Sequence, residues 1–522
     1  MNTKEDDPSL HDDRESAAVE VREKDVNSRP EAFKTTFQEV LCVIVTCLGT
    51  ATSSIPEGSF QVSLNDLASD FSVDGGQLVW SVSSIALASG SFVLIGGKLA
   101  DCLGKRHMMV VCFAGFSIAS LIAGFMKSYV GLVILRAIEG LFFAPLIPAG
   151  ASLLGSIYPE SRRRNIAFAV YSSGGAIGYI VGLFTGGISV LAFSWKAVQF
   201  FTAIFFGVVT IVAFFVIPKD PPLDKVQIRK VLKELDYLGS FLILASFALI
   251  CFALTQVDAT ERKWQTPYIY SLLIVGVLLL IVFILVEIYL AKDPIIPMEL
   301  WKKKDFGLAM LVASLTWVTF IGILGYYPMI YFQYVRRWSA FHTALAALPM
   351  GIMGALTNVF VGVTFHLISG KVLLIGGNVC LVGATVVWAT LDYHRSYWLG
   401  PFWGYILCVI ACDITYNVCT MVTVTAVERK NQGAAAGVFN TILQLVAVVG
   451  LSLGSVLVSA KDPYYGTPEQ NEHPKELFHG LINVFYLGIG FSGLALASSF
   501  FVHVGTSGNA EAENTIENLA SG

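Results

Sequence analysis

Apolar runs of about 20 residues recur along almost the whole of this chain, and a helix of that length spans the hydrocarbon core of a bilayer. About fourteen such spans can be placed: 36–56, 77–98, 107–126, 130–154, 165–188, 197–217, 237–256, 267–290, 306–332, 343–366, 371–391, 398–424, 434–459 and 480–503. The seventh includes polar Thr255 and Gln256, and the ninth is unusually long. The runs do not alternate polar with apolar, so the pattern is not that of a membrane barrel. Only 14% of the 522 residues are charged and 55% are apolar, whereas soluble domains are about one-quarter charged. The expected fold class is an all-α integral membrane protein.

What lies between the spans sets the expected topology. Residues 1–34 are polar, mixed in charge and poor in aromatics, as in a disordered tail, and residues 504–522 form a second one. No basic start leads into a cleavable apolar core, so no signal peptide is expected. With the N-terminus in the cytoplasm, inner loops hold about 18 Lys and Arg and outer loops about 9, which satisfies the positive-inside rule. Arg336-Arg337 is an exception in an outer loop. An even number of spans puts both termini in the cytoplasm. Segment 219–236 is amphipathic enough to be expected as a short surface helix.

Composition also excludes functions. The net charge is −4 and most of the acid lies in the tails, so no nucleic-acid surface is expected. The nine cysteines form no CxxC and no Cys/His cluster at metal spacing, so neither a metal nor a cofactor is expected. No Gly-x-x-x-x-Gly-Lys-Ser/Thr phosphate loop occurs, and no catalytic constellation is visible. An ion gradient, most simply of protons, remains as an energy source.

Several motifs carry chemistry. Gly97-Lys98-Leu99-Ala100-Asp101-Cys102-Leu103-Gly104-Lys105-Arg106 is a charged, glycine-punctuated turn between the second and third spans. Its Gly97 and Gly104 permit close approach or positive φ. Arg136 lies inside the fourth span with Glu139 at i+3. An arginine in hydrocarbon costs at least about 2.5–3.5 kcal/mol, so it should face a polar interior. This is either a permanent structural ion pair or a pair altered by protonation or substrate. In the fifth span Gly178, Gly182 and Gly186, followed by Gly187, make a smooth stripe that permits close helix packing.

Asp413 sits mid-way along the twelfth span with Asn417 one turn on. It is a candidate for proton or substrate handling, or else a neutral hydrogen-bonded structural acid. Asn358, Asn440 and Gln444 could line a cavity or bond between helices. Trp317 and Phe320 of the ninth span, with Tyr326, Tyr327, Tyr331 and Phe332, read either as an aromatic cavity wall or as interfacial anchors.

These motifs resemble those of the major facilitator superfamily. The Gly97–Arg106 turn is similar to G-x-L-a-D-r-x-G-r-r, with Cys102 where Arg is usual. Arg136-Ala137-Ile138-Glu139-Gly140 resembles R-x-x-q-G, with Glu139 for the usual Gln. Gly178 to Gly187 resembles the antiporter motif g-x-x-x-G-P-x-x-G-G, with Leu183 in place of Pro. The order of shorter features, Ser194-Trp195-Lys196, Asp236-Tyr237-Leu238-Gly239, Asp293-Pro294 and Gly433 to Thr441, resembles the fourteen-span drug:proton antiporter family. Within it the chain is similar to fungal transporters of the aminotriazole-resistance and boron-efflux type, a group that includes proposed ammonium transporters.

The resemblance implies two six-helix bundles, 35–218 and 306–503, flanking a cavity, with 219–305 as a cytoplasmic linker and two extra spans. It implies a monomer that exports small toxic solutes against protons, with Asp101, Lys105 and Arg106 latching the cytoplasmic side. The plasma membrane is expected, with the vacuolar membrane as the alternative. An importer of a small nutrient such as ammonium, and a receptor or scaffold that moves nothing, are the competing functions. Many exporters of the family carry an acid in the first span. Here Cys47 to Ser54 contains none, so coupling through that span is not expected.

Overall fold

A computed structural model describes residues 29–73, 75–159, 162–220, 236–256, 265–290, 301, 305–364, 367–425, 432–465, 470, 472 and 473–502. Among them are fourteen helical segments long and apolar enough to cross a membrane. Lipid offers no hydrogen bonds, so each segment must satisfy its own backbone, and helices do that.

The first span is Thr36–Val62, the second is Gly76–Val93, whose helix continues to Leu103, and the third is Lys105–Gly124. The fourth is Tyr129–Phe143, continued after a short turn at Pro145 as Leu146–Ile157. Arg162–Ala192 is the fifth and Trp195–Val216 the sixth. The seventh and eighth are Tyr237–Gln256 and Pro267–Tyr289. The ninth starts as Phe306–Trp317 and continues to Val335. Ala340–Thr364, Gly370–Ala389, Pro401–Thr425, Gln432–Lys461 and Pro474–Ser499 complete the set.

The fold is two six-helix bundles with two extra spans between them in sequence. In the first half, span one packs along span five, two along four, and three along six. In the second half, span eleven packs on twelve and fourteen, and ten on twelve. The halves meet where span two lies along thirteen and span five along ten. The seventh and eighth spans pair with each other, and Ser246 Oγ donates to the Gly276 carbonyl at 2.9 Å. The seventh also touches spans two and thirteen, where Trp80 Nε1 donates to Thr255 Oγ1 at 3.0 Å. Polar Thr255 thus anchors this span rather than interrupting it.

Two expectations are corrected. The first span is longer than its apolar core: it starts under a Thr35 cap and runs six residues past Pro56. Cys47 to Ser54 remains without an acid, as read from the sequence, but the longer helix adds Glu57 to Glu39 within the span. The hydropathy window ended at Pro56, but proline tolerated within a packed membrane helix does not stop it. Glu39 pairs with Arg163 at 2.6 Å and accepts from Tyr158 at 2.9 Å, tying the start of span one to the end of span four and the start of span five. Second, the Gly97–Arg106 stretch is not an extended turn. The second-span helix runs on to Leu103, and the corner is Gly104 alone, at φ +90°. The surface helix expected at 219–236 lies, from 221 to 235, outside the described residues.

Candidate functional site: two polar clusters and a hydrogen-bonded seal

The fourth span carries Arg136 fully into the bundle interior. Arg136 Nη1 donates to Glu139 Oε2 at 3.1 Å, both side chains are buried, and Nε donates to the Ser81 carbonyl at 3.0 Å. The guanidinium also lies 4.0 Å from the centre of the Phe60 ring. Glu139 accepts a further bond from Ser120 Oγ at 2.7 Å and a longer one from Gln199 Nε2 at 3.4 Å. Spans one, two, three, four and six therefore converge on one ion pair. Its i+3 spacing was visible in the sequence; Ser81, Ser120, Gln199 and Phe60 were not, because each comes from a different span.

Close to this pair, the end of span one meets the second half. Glu57 and Gln61 are one turn apart, and Gln61 Nε2 reaches Glu57 Oε1 at 3.4 Å. Tyr179 of span five donates its hydroxyl to Gln61 Oε1 at 2.6 Å. Gln333 of span nine donates Nε2 to the Gln61 carbonyl at 2.7 Å, and its Oε1 accepts from the Asn65 backbone at 3.2 Å. Gln61 and Gln333 are both buried. These bonds cross between the bundles and close one end of the interface. Just outside them a cleft of about 290 Å³ is lined by Asn65, Asp66, Gln333 and Trp338 among others. Asp66, outside the spans, has its carboxyl pushed up by burial. Sequence reasoning missed Glu57, Gln61 and Gln333. Their signal was polar side chains continuing beyond an apolar run, the same signal as a span ending.

The second cluster lies in the other bundle. Asn417 Nδ2 donates to Asn358 Oδ1 at 3.1 Å and to the Asp413 carbonyl at 2.8 Å. Asp413 Oδ2 is buried beside Asn358 without a well-formed hydrogen bond, and it lies 3.2 Å from where a Cβ on Gly354 would stand. Tyr416 donates to Asn440 Oδ1 at 3.2 Å and its ring lies tilted 5.5 Å from Trp317, which neighbours Phe320 at 5.9 Å. The structure thus joins Asp413, Asn417 and Asn358 in one group, and Trp317, Phe320 and Asn440 in another. Gln444 instead packs its Cβ against Gly90 where spans two and thirteen meet. No hydrogen bond or ion pair among the described residues joins Arg136 and Glu139 to Asp413.

The outer aromatics of span nine are not interfacial anchors. Tyr326, Tyr327, Tyr331 and Phe332 are buried, and the last two pack on Trp388 at 6.1 Å. Their span is wound loosely, with i→i+5 bonding, over Val318–Gly325 and Tyr331–Val335.

At the other end of the first bundle, the third-span helix begins at Lys105, and its first amides need acceptors. Asp220, following span six, accepts from the Arg106 amide at 3.2 Å and the His107 amide at 3.0 Å. His107 Nδ1 lies 2.9 Å from the same carboxylate. Lys105 Nζ donates to the Ser152 carbonyl at 3.0 Å, and Arg106 reaches the Phe214 carbonyl and covers its ring at 4.8 Å. Asp101 lies in the last turn of the second-span helix, but its side chain is outside the described residues. Gly97 is in that helix as well, facing Pro148.

The glycine stripe closes span five on span one. A Cβ on Gly178 would stand 2.8 Å from Ala51 Cβ, and one on Gly186 2.6 Å from Ser59 Cα. Gly182 faces the Ile55 carbonyl even more closely, and Ser59 Oγ donates to the Gly182 carbonyl at 2.8 Å. Gly187 is different: it faces Phe341 of span ten, across the interface between bundles.

The sequence profile of the Major Facilitator Superfamily matches residues 46–451. The chain belongs to this superfamily. Curated superfamily relatives cover it almost end to end. The low affinity ammonium transporter of Saccharomyces cerevisiae is 28% identical over 90% of this chain and 89% of its own length. The aminotriazole resistance protein of the same yeast is 27% identical, covering 89% and 84%. Efflux pump terG of Aspergillus terreus is 25% identical, covering 89% and 87%. Among solved structures, the bacterial homolog of the human lysosomal transporter Spinster, inward-facing and occupied, superposes with a TM-score of 0.59 at 15% identity, covering 88% of this chain and 96% of that one. The peptide transporter POT in complex with sulfate also gives 0.59, at 15% identity, covering 88% and 95%. At these identities the likeness speaks for the fold alone. As a superfamily member the chain is a membrane transporter of small molecules, and the clusters above lie within its helical bundles.

Proposed function

We propose that this transporter exports small toxic or xenobiotic solutes in exchange for protons, by rocking its two bundles about the interface between spans two and thirteen and spans five and ten. The observation that carries the reading is Asp413. It is a half-buried mid-span carboxylate in the second bundle, and its Oδ2 is enclosed and lacks a well-formed bond. A carboxylate in that setting is stable either protonated or facing a donor on a solute, and exchange of the two is antiport. Asn417 and Asn358 hold its backbone and flank it.

In this reading Arg136 and Glu139 form the rigid counterpart in the first bundle. Gln61 and Gln333 seal one end. Asp220, Lys105 and Arg106 brace the Gly104 corner at the other, which is the cytoplasmic face if both termini are cytoplasmic, and the chain acts as a monomer in the plasma membrane. The bundles correspond to residues 35–218 and 306–503. The printed names of two relatives, an efflux pump and an aminotriazole resistance protein, favour export. Import of a small nutrient is the second reading, favoured by the relative named a low affinity ammonium transporter.

Accumulation of borate, aminotriazole, methylammonium and cationic dyes, measured in cells stripped of related transporters with and without this chain, separates the readings. Export predicts lower accumulation of at least one solute, reversed by a protonophore and by Asp413→Asn at equal surface expression. Higher methylammonium uptake would establish import instead. Unchanged accumulation of every solute, with the protein at the surface, would count against export.

A further inference from the structure

The cleft outside the Gln61–Gln333 seal has no task in the exchange proposed above. Its volume of about 290 Å³ has room for about one ring and its substituent. Its walls come from both bundles. Asn65 and Asp66, on the helix Leu64–Phe71 beyond span one, and Val190 of span five belong to the first. Trp338, between spans nine and ten, and Phe341 of span ten belong to the second. Gln333 lines the cleft too, but both ends of its amide are engaged, with the Gln61 carbonyl at 2.7 Å and the Asn65 backbone amide at 3.2 Å.

The charge in this cleft is Asp66. It is half-buried, and among the described residues its carboxylate makes no ion pair. Arg336, two residues before Trp338, does not supply one: its Nη1 is turned to the Tyr393 carbonyl at 3.4 Å and the Arg395 carbonyl at 3.5 Å. A carboxylate partly withdrawn from water is stabilised by a cation that donates to it. From the other bundle, Trp338 is fixed by stacking on Phe332, with ring centres 4.8 Å apart and planes 14° from parallel. Val190 and Phe341 extend this apolar lining. Two carboxylate oxygens beside a rigid aromatic wall suit a flat ring that carries two parallel N–H donors.

We propose that this cleft is a regulatory site for small aryl amidinium or guanidinium cations, and that a cation bound in it holds this end of the transporter shut. Asp66 and Trp338 lie on different bundles, so the site is complete only while the bundles meet here. Two contacts bring them together: the Gln333–Gln61 bond, and Gly187 against span ten, where a Cβ on Gly187 would stand 3.0 Å from Phe341 Cα. Parting the bundles at this end takes the carboxylate away from the indole. A ligand that needs both therefore binds the closed form in preference to the open one and shifts the population by that difference. Asp66 lies outside the spans, so the site acts on the transport cycle without carrying the solute. The inference rests on the rocking of the bundles proposed above, and on neither export nor proton coupling.

Binding and closure can be read separately on the full chain in lipid nanodiscs, with benzamidine as the probe. Equilibrium dialysis should show binding that weakens about tenfold in Asp66→Asn and in Trp338→Leu, with part retained in Asp66→Glu. Closure is read at Ala344, which is buried in span ten and stands 3.3 Å from where a Cβ on Gly187 would lie. A thiol introduced by Ala344→Cys is sheltered while the bundles meet, and its maleimide labelling is measured above that of the unmodified chain. At ten times its dissociation constant, a ligand taken only by the closed form lowers the open fraction about tenfold. Labelling should slow by that factor, and Asp66→Asn in the same background should abolish the slowing. No binding at millimolar benzamidine, or equal affinity in a folded Asp66→Asn protein, would overturn the site. Binding that leaves labelling unchanged or speeds it would overturn its closing action. If Ala344→Cys is never labelled even without benzamidine, the rocking interface is misplaced, and the dependence of binding on Asp66 and Trp338 still decides the site.

Discussion

Gly104 and Asp220 share a space in which only glycine fits. A Cβ on Gly104 would stand 2.8 Å from Asp220 Cβ and closer still to its carboxylate, and Gly104 holds φ at +90°. The carboxylate sits there because it accepts from the Arg106 and His107 amides at the start of the third span, where the helix dipole favours negative charge. Two consequences separate. Gly104→Ala is strained by both backbone and contact, and should cost about 1–3 kcal/mol. Asp220→Asn keeps the volume but removes the charge, so it should leave folding nearly intact while loosening the corner. Labelling of a cysteine placed at His107 would check this: faster modification in Asp220→Asn is expected, and an unchanged rate would remove Asp220 from the corner's bracing.

Arg136 and Glu139 offer a sharper test of structure against function. Losing one member of a fully buried pair leaves an uncompensated charge and typically costs about 3–5 kcal/mol. Arg136→Met and Glu139→Gln should each lower the melting temperature markedly. The double change Arg136→Met/Glu139→Leu should recover most of that loss, because apolar replacements of similar volume are tolerated. If the refolded double variant also transports normally, the pair is structural. If it is stable but inactive, the charges take part in transport.

How far the sequence could be read follows from where its signals are local. All fourteen spans were legible, since each is a continuous apolar run whose hydropathy needs no partner. The Arg136–Glu139 pair was legible too, because i and i+3 share a helix face. Contacts between spans were not. Asp220, 114 residues beyond Arg106, and Gln333, 272 beyond Gln61, carry no pattern linking them to their partners. Glu57 was hidden for a different reason. It follows Pro56 at the edge of the apolar run, where hydropathy falls, while the helix itself runs on to Val62 with Gly58 packed against Tyr179 and Gly182. For the tyrosines of span nine the sequence left a cavity wall and interfacial anchoring both open, because exposure does not show in composition.

The stripe on span five predicts a contrast between glycines. At Gly182 a side chain would meet the Ile55 backbone, which cannot move aside within a packed helix pair. Gly182→Ala should therefore destabilise by about 1–3 kcal/mol through overpacking. At Gly493, in the last span, a Cβ would meet nothing within 4 Å. Gly493→Ala should be neutral or stabilising by up to about 1 kcal/mol, since it removes helix entropy cost. Thermal melts of the two variants in one detergent check both signs, and equal shifts would contradict the packing.

Asp70 gives a pH-dependent prediction outside the membrane. The Trp195 indole donates to its carboxylate at 2.8 Å, and Lys196 approaches at 3.0 Å, so its pKa is held below the ordinary value. A depressed carboxyl pKa stabilises the fold above the unfolded pKa, about 3.9, and that contribution fades as pH falls through the lower folded value. Both side chains are about 40% exposed, so screening limits the effect to below about 1 kcal/mol. Asp70→Asn should lower stability slightly at pH 7 and make no difference under strongly acidic conditions. A variant destabilised more at low pH than at neutral pH would reverse the sign and refute the clasp.

Asp413 carries the most informative transport prediction, because substitution there can divide binding from coupling. Asp413→Asn keeps the side-chain volume beside Gly354 and can still bond Asn358, so the bundle should fold with little loss. It cannot release a proton. If Asp413 couples export to protons, the variant in proteoliposomes should still exchange labelled for unlabelled solute when both sides hold it, since that cycle needs no net proton movement. Uphill accumulation under an imposed pH gradient should be lost. Loss of both activities would show that the solute needs the ionised carboxylate itself, which an amide does not replace. Retention of uphill transport with unchanged pH dependence would move the coupling elsewhere, and Glu57 and Glu139 would then be the carboxylates to exchange next.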